Sequence, residues 1–270
     1  MMEWIDSHCH LDGYLKQGSL NGILERARAA GVTQMIAIGT EAQDWAINQD
    51  LALQFPECID YTVGLHPCYV TEGWEAQVQF LEGYFAHERK PVALGEIGLD
   101  YFHLPKDLEA AQELKKQQQA AFEHQLVIAK AFDCPIVIHS RDAFDATIKT
   151  LDASGINWNK VVMHCYSYSA EQIKIINSRG GRASFTGIVT YKNAPKVQKA
   201  LLEQGVDTLM IETDSPYLTP EPHRGQKNEP AYVSEIGKKC AELFNLEVDV
   251  FAKKVSENTR TFFGLKTPTH

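Results

Sequence analysis

Near the N-terminus, Asp6-Ser7-His8-Cys9-His10 sets two imidazoles two residues apart, directly after the short apolar run Trp4-Ile5. On an extended chain alternate side chains share a face. Asp6, His8 and His10 are therefore expected on one side, Ser7 and Cys9 on the other. Paired neutral imidazoles suit a divalent ion such as zinc. A bare His-x-His is more often a chance pair on a surface turn, but here the pattern recurs. Similar groups stand in Gly64-Leu65-His66-Pro67, Gly95-Glu96-Ile97-Gly98-Leu99-Asp100, His139-Ser140-Arg141-Asp142, His164-Cys165-Tyr166 and Glu212-Thr213-Asp214-Ser215-Pro216. Each follows an aliphatic run or a glycine, so a polar group emerges abruptly from an expected core. His8, His10, His139 and His164 with Glu96 and Asp214 are more ligands than one tetrahedral zinc uses. They suit two ions about 3.5–4 Å apart. His8, His10 and Asp214 are expected to hold one, His139 and His164 the other. Glu96 would bridge them, with Gly95 and Gly98 leaving room for close approach. The alternative for Glu96 is an ion pair with a lysine or arginine.

Such residues need elements that bring them together. Strands are expected at Trp4 to Ser7, Thr33 to Ile38, Ile59 to Val63, Val92 to Leu94, Pro135 to Ile138, Val161 to Met163, Arg182 to Phe185 and Thr208 to Ile211. Runs such as Ile136-Val137-Ile138 lack polar alternation, as parallel strands covered on both faces do. Helical patterns alternate with them: Leu20 to Ala30, Ala42 to Phe55, Trp74 to Glu88, Leu108 to Phe132, Ala143 to Leu151, Ser169 to Asn177 and Pro195 to Glu203. Two more, Tyr232 to Phe244 and Val248 to Phe263, end the chain. Eight strand–helix units in this length predict an α/β fold, a (β/α)₈ TIM barrel with its site at the C-terminal ends of the strands. No Gly-x-Gly-x-x-Gly follows a strand, which removes the usual dinucleotide site. One domain over residues 1–265 is expected, with a short tail at 266–270. Five of the ten histidines, His8, His10, His66, His139 and His164, fall at expected strand ends. Their joint placement is what a site at the barrel mouth requires.

The formal net charge of -9 argues against a basic face built to grip long duplex DNA. A phosphate-bearing substrate would then meet positive charge chiefly from bound metals. The six cysteines are scattered without a Cys-x-x-Cys pair, so neither a zinc knuckle nor a disulfide framework is expected. Cys9 and Cys165, each next to a candidate ligand, are read as small buried residues. No apolar run reaches the roughly 20 residues that span a bilayer. No charge-flanked apolar leader opens the chain. A cytoplasmic protein is the expectation, without a membrane and without an obligate protein partner.

These motifs, with Pro135-x-x-x-His139-x-Arg141, Glu257-Asn258-Thr259 and Phe263-Gly264, resemble the TatD family of metal-dependent deoxyribonucleases. The similarity runs along the whole chain and is greatest to the YjjV-like branch. It implies an amidohydrolase-type barrel with one to three divalent metals. It also implies phosphodiester hydrolysis of DNA from single-stranded ends. Every ligand position that the resemblance implies is filled.

By role, a two-metal-activated water is expected to attack phosphorus, with zinc, magnesium or manganese as the ions. Asp214 is the expected base and Glu96 the bridge that holds the centre together. His66 is expected to bind phosphate or protonate the leaving oxygen; its alternative is a structural histidine in a turn. Arg141, two residues past His139, either holds phosphate or pairs with Asp142 or Asp145. Asp6 and Glu212 are candidates to orient ligand imidazoles. Tyr69, Tyr166, Tyr168 and His103 are weaker candidates for stacking on bases. Other functions on the same scaffold stay open. They are an amide or ester hydrolase for small substrates, a hydrolase of aminoacyl-tRNA esters, and a non-catalytic metal-bound scaffold. The absence of a lysine at any strand end favours the nuclease-like site over amidohydrolases bridged by a modified lysine.

Overall fold

Eight strands follow one another around a single parallel sheet: β1 (Trp4–Cys9), β2 (Val32–Ala37), β3 (Ile59–Val63), β4 (Ala93–Asp100), β5 (Ile136–Arg141), β6 (Val161–Met163), β7 (Arg182–Phe185) and β8 (Met210–Ile211). The computed structural model describes residues 2–267. The first and last strands meet just beyond β8, where Cys9 bridges Ser215 in parallel. There the Asp214 N–H donates to the His8 carbonyl and the His10 N–H to the Ser215 carbonyl, both at 2.9 Å. The expected TIM barrel is therefore formed, and its seam runs through residues expected to carry chemistry.

Helices alternate with the strands: α1 (Asp12–Lys16), α2 (Leu20–Ala29), α3 (Ala42–Gln54), α4 (Glu75–Val78), α5 (Leu81–Ala86), α6 (Leu108–Phe132), α7 (Phe144–Ser154), α8 (Ala170–Asn177), α9 (Pro195–Gln204), α10 (Val233–Phe244) and α11 (Val248–Phe263). The single helix expected over Trp74 to Glu88 is two short ones. Bonding tightens to the i−3 carbonyl at Phe80 and Gly83. Trp74, Val78, Leu81 and Phe85 stay buried along one face across the break.

Side-chain alternation divides the apolar residues into two layers. Met35, Ala37, Ile136, Ile138, Val161 and Met163 join the large cluster between sheet and helices. Ile36, Ile38, Ala93, Val137, Val162 and Met210 form a separate cluster inside the barrel, together with Phe262 and Phe263 from the end of α11. Those two rings lie at the N-terminal end of the strands, where Arg182 sits over Phe262 and Arg260 bonds the Gln34 side chain. Gln34 also donates to the Lys266 carbonyl. Of the expected tail at 266–270, residues 268–270 lie outside the described residues.

Strands β4 and β5 run beyond the expected ends at Leu94 and Ile138, to Asp100 and Arg141. Leu94 pairs with Ile136 and Ile97 with Ile138, so β4 carries one extra residue at Gly95-Glu96. This bulge changes which residues face inward. Ala93 lies inside the barrel, whereas Leu94, Ile97 and Leu99 pack outward, which leaves Glu96, Gly98 and Asp100 on the inner side. The glycines are needed for close approach. A Cβ on Gly95 would lie 2.6 Å from the Val137 Cβ, and one on Gly98 would lie 2.0 Å from the His139 carbonyl oxygen.

Candidate metal centre and active site

The inward positions at the C-terminal ends of the strands converge on Glu96, which is buried. Its Oε1 lies 2.7 Å from His164 Nε2, 2.8 Å from His139 Nδ1 and 3.2 Å from His66 Nε2. Its Oε2 faces His8 Nε2 at 3.4 Å. Asp214 Oδ1 lies 3.3 Å from His10 Nε2 and 3.6 Å from His8 Nε2. The His8 and His164 rings stack with centroids 4.0 Å apart. His8, His10, His66, Glu96, His139, His164 and Asp214 therefore share one mouth. Asp214 and Cys165 both adopt left-handed backbone, at φ 51° and 46°, where β8 and β6 give way to loops.

Several observations fit this donor set to divalent cations. One carboxylate oxygen with two lone pairs faces three imidazole nitrogens. His8 is fully buried, and both its ring nitrogens lack a hydrogen-bond partner, an arrangement that burial makes expensive. Three groups of ligand atoms lie within reach of a common ion. They are His8 with His164 and Asp214, His8 with His10 and Glu96, and His66 with Glu96 and His139. These groupings share residues differently from the expected division between two ions.

The electrostatics follow from burial opposed by pairing. Burial pushes Glu96 up, but the nearby His164 and His66 and hydrogen bonds from His139 and His164 outweigh it. The net effect holds Glu96 well below the usual carboxylate range. Asp214 is likewise held down against burial, chiefly by its hydrogen bond with His10. His8 is pushed down by burial and by His164. His66 falls to about 4, with burial the main cause.

His66 differs from the other imidazoles in one respect. The Cys68 backbone N–H donates to its Nδ1 at 3.0 Å. A backbone amide is always a donor, so Nδ1 carries a lone pair, and the neutral ring bears its proton on Nε2. Nε2, the atom that points at Glu96, is thus a donor.

The remaining sequence candidates separate. Arg141 lies at the rim, with its guanidinium 3.9 Å above the Phe102 ring, and neither Asp142 nor Asp145 pairs with it. Asp6 contacts no imidazole ring. It accepts from the Thr213 N–H at 2.8 Å and hydroxyl at 2.6 Å, and from the His8 backbone. A register irregularity between Asp6 and Cys9 parts it from the histidines, which corrects the expected shared face. Burial raises Asp6 to about 7. Glu212 does face His164 Nδ1, at 3.4 Å, and is held by the Cys165 N–H and the Ser184 hydroxyl. Tyr166 is buried and donates to the Ser169 carbonyl. The Tyr168 hydroxyl bonds Ser140 and Ala143. Neither is a loop platform, whereas Tyr69 is exposed.

Asp100 has a part that the sequence reading left out. Its Oδ2 lies 3.0 Å from His139 Nε2, and its Oδ1 accepts from the Phe102 and His103 amides. Its even spacing from Glu96 through Gly98 was the available signal, hidden because the expected strand stops at Leu94 whereas β4 runs to Asp100.

Comparison with known proteins fits this geometry. The family model described as TatD related DNase matches residues 5–264. The chain belongs to the TatD family. TatD relatives named as uncharacterized metal-dependent hydrolases include YabD of Bacillus subtilis, 33% identical over 96% of this chain and 98% of its own length. YcfH of Escherichia coli is 32% identical over 97% of this chain and 96% of its own. Among solved structures, the TatD homologue YjjV of Escherichia coli superposes with a TM-score of 0.89 at 28% identity. It covers 98% of this chain and 99% of that one. The protein is thus a metal-dependent hydrolase of the TatD family. Among the described residues, no helix is long and apolar enough to cross a membrane.

Proposed function

We propose that the protein is a deoxyribonuclease that cleaves phosphodiester bonds near single-stranded DNA ends. In this reading residues 1–265 act as one hydrolase domain. The observation that carries it is the convergence on Glu96 of five imidazoles, four of them candidate ligands and the fifth, His66, fixed as a donor.

In this reading His8, His10, Glu96, His139, His164 and Asp214 hold two divalent ions (zinc, magnesium or manganese). When bound, the ions lower the pKa of a water and neutralise charge on phosphate. Asp214, at the open end of the cluster beside His10, accepts the proton of the attacking water. His66 offers its Nε2–H to a phosphate oxygen. A neutral ring whose Nδ1 is already engaged is suited to hold phosphate, so of its two expected roles, binding is favoured over protonating the leaving group. Glu96 keeps the imidazoles in register, and Asp100 and Glu212 orient His139 and His164 from behind. Arg141, spread on Phe102 at the rim, presents its outward N–H groups to the next phosphate. The family's nuclease description supports DNA as the substrate. Six free cysteines support a reducing, cytoplasmic setting.

The test is an end-labelled single-stranded oligonucleotide incubated with chelator-stripped protein, before and after zinc, magnesium or manganese is returned. Metal-dependent shortening of the strand is expected. Metal-loaded protein that cleaves aminoacyl esters or small esters but leaves the oligonucleotide intact would overturn the assignment.

A further inference from the structure

A second group of metal-ligating side chains lies at the rim, outside the set around Glu96. It joins Cys68, in the one-turn helix Pro67–Tyr69 after β3, to Asp100 at the end of β4 and His103 in the following loop. Asp100 is buried, and Cys68 and His103 are exposed. His103 Nδ1 lies 2.9 Å from Asp100 Oδ2, Cys68 Sγ lies 3.6 Å from the same oxygen, and Sγ and Nδ1 are 3.8 Å apart.

The triangle has the size of one face of a zinc tetrahedron. With zinc bonds of about 2.3 Å to sulfur and about 2.0 Å to nitrogen and oxygen, its edges would be about 3.3 to 3.5 Å. Each observed edge lies within about 0.4 Å of that. Hydrogen bonding alone accounts poorly for the arrangement. Asp100 Oδ1 is occupied by two backbone amides. Oδ2 has two lone pairs but faces three groups, His139 Nε2, His103 Nδ1 and the Cys68 thiol. A cation resolves the surplus. The His139 N–H keeps one lone pair, the ion takes the other, and Nδ1 and sulfur become ligands.

We propose that Cys68, Asp100 and His103 form an additional binding site for a thiophilic divalent cation of the zinc class, separate from the ions held around Glu96. Thiolate, imidazole and carboxylate together select zinc or cobalt over magnesium or calcium. Binding forms the metal–sulfur bond as the S–H bond breaks, with the proton released to water. The exposed side of the site leaves the fourth position to solvent. An ion here ties the Pro67–Tyr69 turn to the loop after β4. It thereby holds the Cys68 amide that fixes His66.

The test is titration of chelator-stripped full-length protein with cobalt(II) and with zinc(II), which does not depend on any hydrolytic activity. Cobalt should give a thiolate charge-transfer band in the near ultraviolet. Zinc should bind in one equivalent more than in Cys68→Ser or His103→Gln, and both variants should lack the band. Cys9 and Cys165 also lie near the main centre, so Cys9→Ser and Cys165→Ser serve as controls and should keep the band. In the wild-type protein zinc should slow alkylation of Cys68, which needs no variant to fold. No band in the wild type, a band that survives Cys68→Ser, or alkylation of Cys68 indifferent to zinc would each overturn the proposal.

Discussion

The two ends of the barrel interior are built from the same strands by the same alternation, yet they are chemically opposite. At the N-terminal end Ile36, Ala93, Val137, Val162 and Met210 close on Phe262 and Phe263, with Arg182, Gln34 and Arg260 beside those two rings. At the other end, a few residues further along, Glu96 faces a ring of imidazoles. The lower end is stabilised by apolar burial, about 25 cal/mol for each Å² removed from water. The upper end gathers carboxylates whose burial is offset by pairing with imidazoles, together with the partnerless ring nitrogens of His8. Stability and chemistry are thus separated along one axis, and substitutions at the two ends should differ in kind.

The largest expected effect is at the upper end. Asp214→Ala should lower the rate of metal-dependent hydrolysis by about 10³-fold, within the range of general-base catalysis, and leave the thermal midpoint of metal-free protein unchanged. A large fall in that midpoint would break the separation. At the lower end, Phe262→Ala should cost about 3–4 kcal/mol in denaturant unfolding through the cavity left behind. Its rate per folded molecule should match the wild type, and a lowered rate would show that the ends are coupled.

The rim of the upper end supplies a pH test. Burial raises Asp44 to about 6 from 3.8, although its carboxylate accepts from the Thr40 and Glu41 amides. The folded protein then holds a proton that the unfolded chain releases at lower pH. This contribution is present below about pH 4, falls as pH rises towards 6 and is constant above, a change on the order of 3 kcal/mol. Unfolding of Asp44→Asn followed across that window should lack this slope, and an unchanged slope would assign it to other groups. Next, His66→Ala should reduce turnover by about 10²-fold with metal content, read by elemental analysis, unaltered. Parallel loss of metal would make His66 a ligand. The smallest effect is expected for Arg141→Ala, a rise of a few-fold in KM for an oligonucleotide with kcat unchanged, in keeping with one exposed charge.

How far the sequence was legible follows from this geometry. The apolar runs marked all eight strands, and the polar residues just past them marked the centre, because parallel strands end where their side chains stop being buried. The course of β4 was not legible. The apolar run stops at Leu94, and the room for close approach expected at Gly95 and Gly98 is taken by Val137 and the His139 carbonyl, neighbours that no local pattern names. The extra residue at Gly95-Glu96 is a property of pairing with β5, which no local pattern encodes. For the same reason Asp6 read as a partner of the imidazoles but binds Thr213, and Asp100 went unassigned while it supports His139.

The seam between β1 and the end of β8 has a temporal meaning. Asp6 and Thr213 are 207 positions apart, and their neighbours His8 and Asp214 bring the two rims together by a direct backbone bond. During synthesis the His-x-His motif is made well before Asp214, and the two cannot meet until the stretch from Leu11 to Thr213 has been added. Long-range closure of this kind is slow to form. The centre around Glu96 therefore cannot be complete while the chain up to Asp214 is still being made.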